Sequence, residues 1–293
     1  MRNGIQVGLL AVVGLAFAGA AFYWIHDKRE RTQASTSEAP PPEKTLDETP
    51  PAAKGNESSP AAESKKSPPS LDPGILLRSG EVLEYAADVA KLTNVANLRL
   101  QVAERRDFQG KKAWHLQAFA HTENPLRMVF ELDDQFDSYS DADTLSSLQY
   151  EMHLNERGQK VESVQRMTTT AKDPAPANVT ETRVLPGTRD PLGLMQFLRN
   201  VDWRKTREVR GPVYDGHKLY DVRAAFTGSS EAVAVPAGNY KATKIEIHVF
   251  EGGVELKDAH FTLYLANNEA HTPVLLEAVM PFAVARVQLV RIK

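Results

Sequence analysis

The chain of 293 residues contains no cysteine, which excludes disulfides, thiolate metal sites, a cysteine nucleophile and a lipid-modified N-terminal cysteine. It also lacks a dominant charge: 35 lysines and arginines stand against 38 aspartates and glutamates, a net charge of −3. No global field therefore draws it to nucleic acid or to an anionic surface, and nucleic acid is not an expected partner. Neither a Gly-x-Ser-x-Gly elbow nor a phosphate-cradling glycine loop occurs, so acyl and phosphoryl transfer have no foothold. Carboxylate pairs for glycoside chemistry meet only in a fold and are not legible at this level. No enzyme activity and no cofactor is expected.

What the chain does have is one long apolar run. Ile5 to Ile25 reads IQVGLLAVVGLAFAGAAFYWI, with no charge, long enough as a helix to cross a bilayer. It ends in Phe22, Tyr23 and Trp24, an interfacial aromatic cluster, followed at once by His26, Asp27, Lys28, Arg29, Glu30 and Arg31. The competing reading is a cleaved signal peptide, because Ala16-Phe17-Ala18 and Ala18-Gly19-Ala20 offer small-x-small cleavage sites. Cutting there leaves the apolar Phe22–Ile25 at a mature N-terminus, whereas an uncut helix uses all of it. Lys28, Arg29 and Arg31 against Arg2 mildly favour an inside C-terminus, but long soluble domains cross largely regardless of flank charge.

From Gln33 to about Pro73 the composition turns to Pro, Ala, Ser, Glu and Lys with almost no large apolar residue. Such a segment cannot bury enough surface to offset its ordering entropy. Its prolines favour extended conformations, so it reaches on the order of 100 Å at about 3 Å per residue. It is a spacer, and neither Pro40-Pro41-Pro42 nor Lys65-Lys66-Ser67-Pro68 carries the flanking pattern of a recruitment motif.

Beyond Gly80 the hydrophobic period is two. Ile245, Ile247 and Val249 alternate with Lys244, Glu246 and His248, and the same alternation runs through 98–102, 114–118, 218–223 and 260–265. Gln109-Gly110, Arg157-Gly158, Asp215-Gly216, Gly238-Asn239 and Gly252-Gly253 are turn signals that supply positive φ. Short connections of this kind imply antiparallel pairing. One stretch reads as helix: Asp190 as N-cap, Pro191 at the first position, then Leu194, Met195, Leu198 and Val201 at helical spacing up to Trp203, with that stripe facing the sheet. The irregular, acidic region Asn124 to Ser147 is compatible with a short helix plus loop, which pattern alone does not decide.

The order of landmarks resembles a known family. Gly80-Glu81-Val82-Leu83-Glu84-Tyr85, Asp137-Ser138-Tyr139-Ser140-Asp141, Asp190-Pro191-Leu192, Tyr214-Asp215-Gly216-His217-Lys218 and Val235-Pro236-Ala237-Gly238-Asn239-Tyr240 follow one another as in the bacterial exported family called domain of unknown function 3108. The resemblance covers about residues 78–292. It implies a curved antiparallel sheet facing the periplasm, and no activity.

Candidate side chains fall into three groups. Asp133, Asp134, Asp137, Asp141 and Asp143 are hard oxygen ligands of the type calcium takes, but they lack the ordered spacing of a known loop and read as a solvated turn. His115, His153, His248 and His260 sit at the outward phase of strands with no His-x-His or His-Glu-x-x-His pairing, so they read as polar-face residues. Trp114, Phe119, Phe130, Met195, Phe197, Tyr220, Phe261 and Tyr264 either line an apolar groove or fill a core. No catalytic, cofactor or metal residue is assigned, and the ligand-binding residues are left unknown.

The expected fold is therefore mainly β: a single curved antiparallel sheet or half-open barrel with one or two short capping helices, preceded by a transmembrane helix and a disordered linker. The divisions are an anchor at 1–32, a linker at 33–77 and a periplasmic domain at 78–293. The expected location is the bacterial inner membrane, single-pass, with periplasmic secretion after cleavage as the alternative. Two functions fit: a module binding an apolar or lipid-like envelope ligand, or a packed structural or interaction protein that docks an envelope partner.

Overall fold

The computed structural model describes residues 75–169, 176–280 and 283–293. The apolar run at Ile5–Ile25, nearly all of the 33–77 spacer and residues 170–175 lie outside the described residues. Among the described residues no helix is long and apolar enough to cross a membrane.

Alternation of apolar and polar residues produces thirteen strands: β1 (Val82–Val89), β2 (Leu92–Phe108), β3 (Lys111–Thr122), β4 (Asp133–Asp141), β5 (Ser147–Glu156), β6 (Gln159–Thr168), β7 (Thr180–Arg183), β8 (Glu208–Tyr214), β9 (Leu219–Val235), β10 (Gly238–Glu251), β11 (Val254–Ala266), β12 (Pro273–Met280) and β13 (Ala283–Ile292). Among the described residues one α-helix, α1 (Pro191–Asn200), stands between β7 and β8. All thirteen strands form one sheet in the order β7-β6-β5-β4-β3-β2-β1-β13-β12-β11-β10-β9-β8. The first and last strands pair in the middle, Val89 opposite Ala285, so each half of the sheet is a meander of neighbours. Every pair is antiparallel except β6 with β7, which is parallel, in keeping with the mostly antiparallel sheet expected.

Local chemistry fixes the register. Gln109-Gly110 and Arg157-Gly158 both take positive φ at each residue, 51° and 77° in the first, 52° and 77° in the second. Two consecutive positive φ values match the right-handed twist of the strands they join. The acidic stretch resolves as a short 3-10 turn, Leu126–Met128, followed by strand β4. Aspartate is a poor strand former, and the pairing of β4 with β3 and β5 on both sides overrides that preference.

The sheet curls around α1. The segment before the helix laces its two halves together: Arg189 N donates to Pro212 O and Tyr214 N to Arg189 O on edge strand β8, while Ser147 N of β5 donates to Thr188 O. The half-open barrel is thus tied across its opening. Helix α1 ends at Asn200, three residues short of Trp203, and is buried nearly all round, with Gln196, Arg199 and Asn200 buried beside Leu192, Phe197 and Leu198. It is a plug inside the curl, which corrects the one-sided stripe expected from spacing. The chain joins this core earlier than residue 78, since Leu77 is 6% exposed and Leu76 N donates to Asn200 Oδ1 at 2.7 Å.

Candidate functional site

A helix enclosed by a curved sheet leaves either a groove or a filled core. Leu192, Met195 and Gln196 face Tyr85, Leu100, Leu116, Leu263 and Val287, and the space left between them measures about 20 Å³. That holds a single water; a site for a drug-sized or acyl ligand is roughly 300 Å³ or more. The aromatic group divides accordingly. Trp114, Phe130, Phe197 and Tyr220 are core, and Phe261 packs against it. Tyr264 is likewise buried, with its hydroxyl donating to Glu277, whereas Phe119 lies outside under the Arg99 guanidinium, 4.6 Å from the ring centre.

Both ends of α1 are clamped by buried charge. Asp190, fully buried, accepts from Leu192 N at 2.8 Å and Gly193 N at 2.9 Å through Oδ1, and from the Ser138 hydroxyl at 2.5 Å and the Ser147 hydroxyl through Oδ2. Burial pushes its pKa up, and those four donors oppose the shift. At the other end Arg199, also fully buried, donates to both oxygens of Glu81 at 2.7 and 3.0 Å and to Ala270 O at 3.0 Å. Gly193 packs closely here: a Cβ would lie 3.0 Å from Ser140 Oγ and 3.1 Å from the Leu145 carbonyl, so these neighbours would have to yield by a few tenths of an ångström.

Two further aspartates are buried with their pKa pushed up. Asp134 accepts from Asn155 N through Oδ1 at 2.8 Å, its Oδ2 meets no partner, and burial pushes its pKa up to about 7. Asp215 caps the β8–β9 turn through His217 N and Lys218 N, and burial pushes its pKa up to about 6. The five aspartates considered for calcium are not brought together. Asp133 pairs with Arg127, Asp141 holds the turn at Thr144, and Asp143 lies exposed 4.0 Å from Arg105. As members of one strand, Asp134 and Asp137 face opposite ways.

On the outer face the histidines acquire partners that sequence spacing concealed. Asp137 Oδ1 lies 2.7 Å from His115 Nε2 and accepts from Gln117, while Oδ2 accepts from Gln135. Burial raises the Asp137 pKa, but these hydrogen bonds outweigh it and leave the carboxyl below its ordinary value. The His115 ring stacks on Tyr139, which stacks in turn on Phe108. Across the sheet, His248 stands opposite His260 with rings edge to face at 4.6 Å, and Glu246 completes a group whose ligand atoms lie within 4.8 Å of one another. No helical or His-x-His pattern could have shown this, because the pairing is across strands.

A further feature is the end of the sheet where the β1–β2, β3–β4, β10–β11 and β12–β13 connections lie. Leu92, Met128, Val129, Val254, Val279 and Val284 are all exposed there, Met128 to 82% and Val254 to 69%. Val279 and Val284 are direct cross-strand partners.

The model of a protein family of unknown function, DUF3108, matches residues 84–290. The chain belongs to the DUF3108 family. No curated protein matches the sequence. Among solved structures, a β-barrel-like protein of domain of unknown function DUF1849 from Brucella abortus is similar at 10% identity and a TM-score of 0.47, over 73% of this chain and 97% of that one. A protein described as a lipoprotein from Parabacteroides distasonis gives 14% identity and 0.34, over 74% and 96%. An exported protein with a YmcC-like fold from Bacteroides fragilis gives 12% identity and 0.34, over the same shares.

In this DUF3108 domain the landmarks that suggested the family are architectural. Asp137–Asp141 is the second half of β4, Asp190-Pro191-Leu192 is the clamped start of α1, and Val235–Tyr240 spans the β9–β10 turn. Tyr214–Lys218 is a turn tucked against β5: Gly216 takes φ +101°, and a Cβ there would meet the Met152 side chain at 2.5 Å. The Tyr214 hydroxyl closes it by donating to Gly216 O.

Proposed function

We propose that this DUF3108 protein is a structural or interaction protein of the bacterial cell envelope that carries no small molecule in its interior. The apolar run at 5–25 holds it at the inner membrane, and the proline-rich spacer lets the β domain stand off in the periplasm. The observation that carries the reading is the filled space under α1, about 20 Å³ where an acyl carrier needs hundreds. What such a domain offers a partner is its outer surface, and the exposed apolar side chains gathered at one end of the sheet suit that role better than scattered ones would.

The test is a thermal-shift titration of the β domain with fatty acids and with phospholipid dispersions. A ligand of the folded state present at a hundredfold excess over its Kd adds about 2.7 kcal/mol of stability, which raises the melting temperature of a domain this size by several degrees. The expected result is an unchanged melting temperature with every lipid. A rise that grows with the concentration of one lipid would restore the carrier reading.

A further inference from the structure

We propose that Glu246, His248 and His260 form a binding site for a divalent transition-metal ion, Zn²⁺ first, on the outer face of the β10–β11 pair. The sheet register places His248 directly opposite His260, and Glu246 stands on the same face two residues before His248. One ligand atom from each lies within 4.8 Å of the other two. Zinc bound at about 2.0–2.2 Å by imidazole nitrogen and carboxylate oxygen sets tetrahedral ligand atoms roughly 3.4 Å apart, so closure asks for small side-chain rotations only.

The second observation is the orientation of His248. Glu255 Oε1 lies 2.5 Å from His248 Nδ1, a hydrogen bond across the β10–β11 pair. A ring that gives its Nδ1 proton to a carboxylate presents Nε2 as a bare lone pair, the arrangement that metal-ligating histidines have behind them. The backbone is built to produce it. Between the pair His248–His260 and the pair Phe250–Glu255, two residues of β10 advance against five of β11. The three extra residues form a bulge that carries Glu255 back beside His248, and bulges are a recurrent means of re-aiming a side chain at a site.

The ligands are also unspent. Among the described residues nothing hydrogen-bonds the Glu246 carboxylate or the His260 ring, in contrast to Asp137, whose oxygens are taken by His115, Gln117 and Gln135. Arg223, opposite His248 on β9, has its guanidinium over the Phe250 ring and its Nε 3.9 Å from Glu208. Two imidazoles and one carboxylate at a half-buried position suit zinc and leave a fourth coordination position to water.

Titration calorimetry of Zn²⁺ into the tag-free full-length chain tests the site. We expect one zinc per chain, with affinity reduced at least about a hundredfold by His248→Ala or His260→Ala and at least about tenfold by Glu246→Gln. Glu255→Gln, which removes the orienting hydrogen bond alone, should lower affinity about tenfold. Co²⁺ bound to the wild-type chain should show the visible absorption of a tetrahedral centre, absent from the His248→Ala/His260→Ala double variant. His121→Ala, an exposed histidine outside the site, should bind as wild type does. All these side chains sit on the outer face, so metal-free melting temperatures should match wild type and confirm folding. A wild-type chain that takes up no zinc, or a double variant that binds it undiminished, would overturn the site.

Discussion

Asp190→Ala is expected to destabilise the domain by about 3–5 kcal/mol and to lower its melting temperature on the order of 10 °C. The cost has two parts. Loss of an N-cap carboxylate alone is worth about 1–2 kcal/mol, since two backbone N–H groups at the start of α1 lose their acceptor. The larger part comes from the Ser138 and Ser147 hydroxyls, which donate to Oδ2 from the interior face of β4 and β5 and would be left buried with no carboxylate. Asp190→Asn keeps an acceptor for the helix and an amide for hydroxyls that can reverse direction, so it should cost about 1 kcal/mol. Equal losses for the two variants, measured by chemical denaturation, would show that an amide cannot take over the hydrogen bonds of the carboxylate.

Asp134→Asn should act the other way. The folded-state pKa of Asp134 is about 7 against 3.8 for the ordinary carboxyl, because burial penalises the charged form and Glu156 and Asp133 add repulsion. The folded domain therefore binds a proton that the unfolded chain has already released. Stability from this group is fully present below about pH 4 and is lost as pH rises through about 7. Asparagine keeps the bond from Asn155 N and cannot ionise, although its NH₂ replaces an oxygen that has no partner. The variant should match wild type within about 1 kcal/mol at pH 4 and exceed it by roughly 1–3 kcal/mol at pH 8. Denaturation midpoints across that range decide it; a variant less stable than wild type at pH 8 would mean that Asp134 is held ionised by a partner.

Most of the fold was legible because strands advertise their phase. The alternation at 243–249 and 260–265 became β10 and β11, and the Gln109-Gly110 and Arg157-Gly158 signals became two-residue turns with the φ signs they require. Asp190-Pro191 marked the start of α1 for the same reason: N-cap chemistry is local. Long-range features were hidden. Nothing in the spacing of Leu194, Met195 and Leu198 says that a helix will be enclosed, because enclosure depends on how far thirteen strands curl and on Thr188–Asp190 lacing β8 to β5. The acidic run at Asp133–Asp141 reads as a turn by composition and is a strand by virtue of its neighbours. The grouping of Glu246, His248 and His260 needed the register of a hairpin and a bulge, neither of which a histidine-spacing pattern encodes.

In this fold α1 is a fixed plug in a filled interior. Hydrogen exchange at the Leu194–Asn200 backbone amides separates a plug from a lid, because a lid opens locally while a plug is released only with the whole domain. These amides should exchange as slowly as those of β1 and β13, with exchange that tracks global stability in denaturant. Exchange several orders of magnitude faster than in the central strands, insensitive to denaturant, would make α1 the cover of a groove and not a plug.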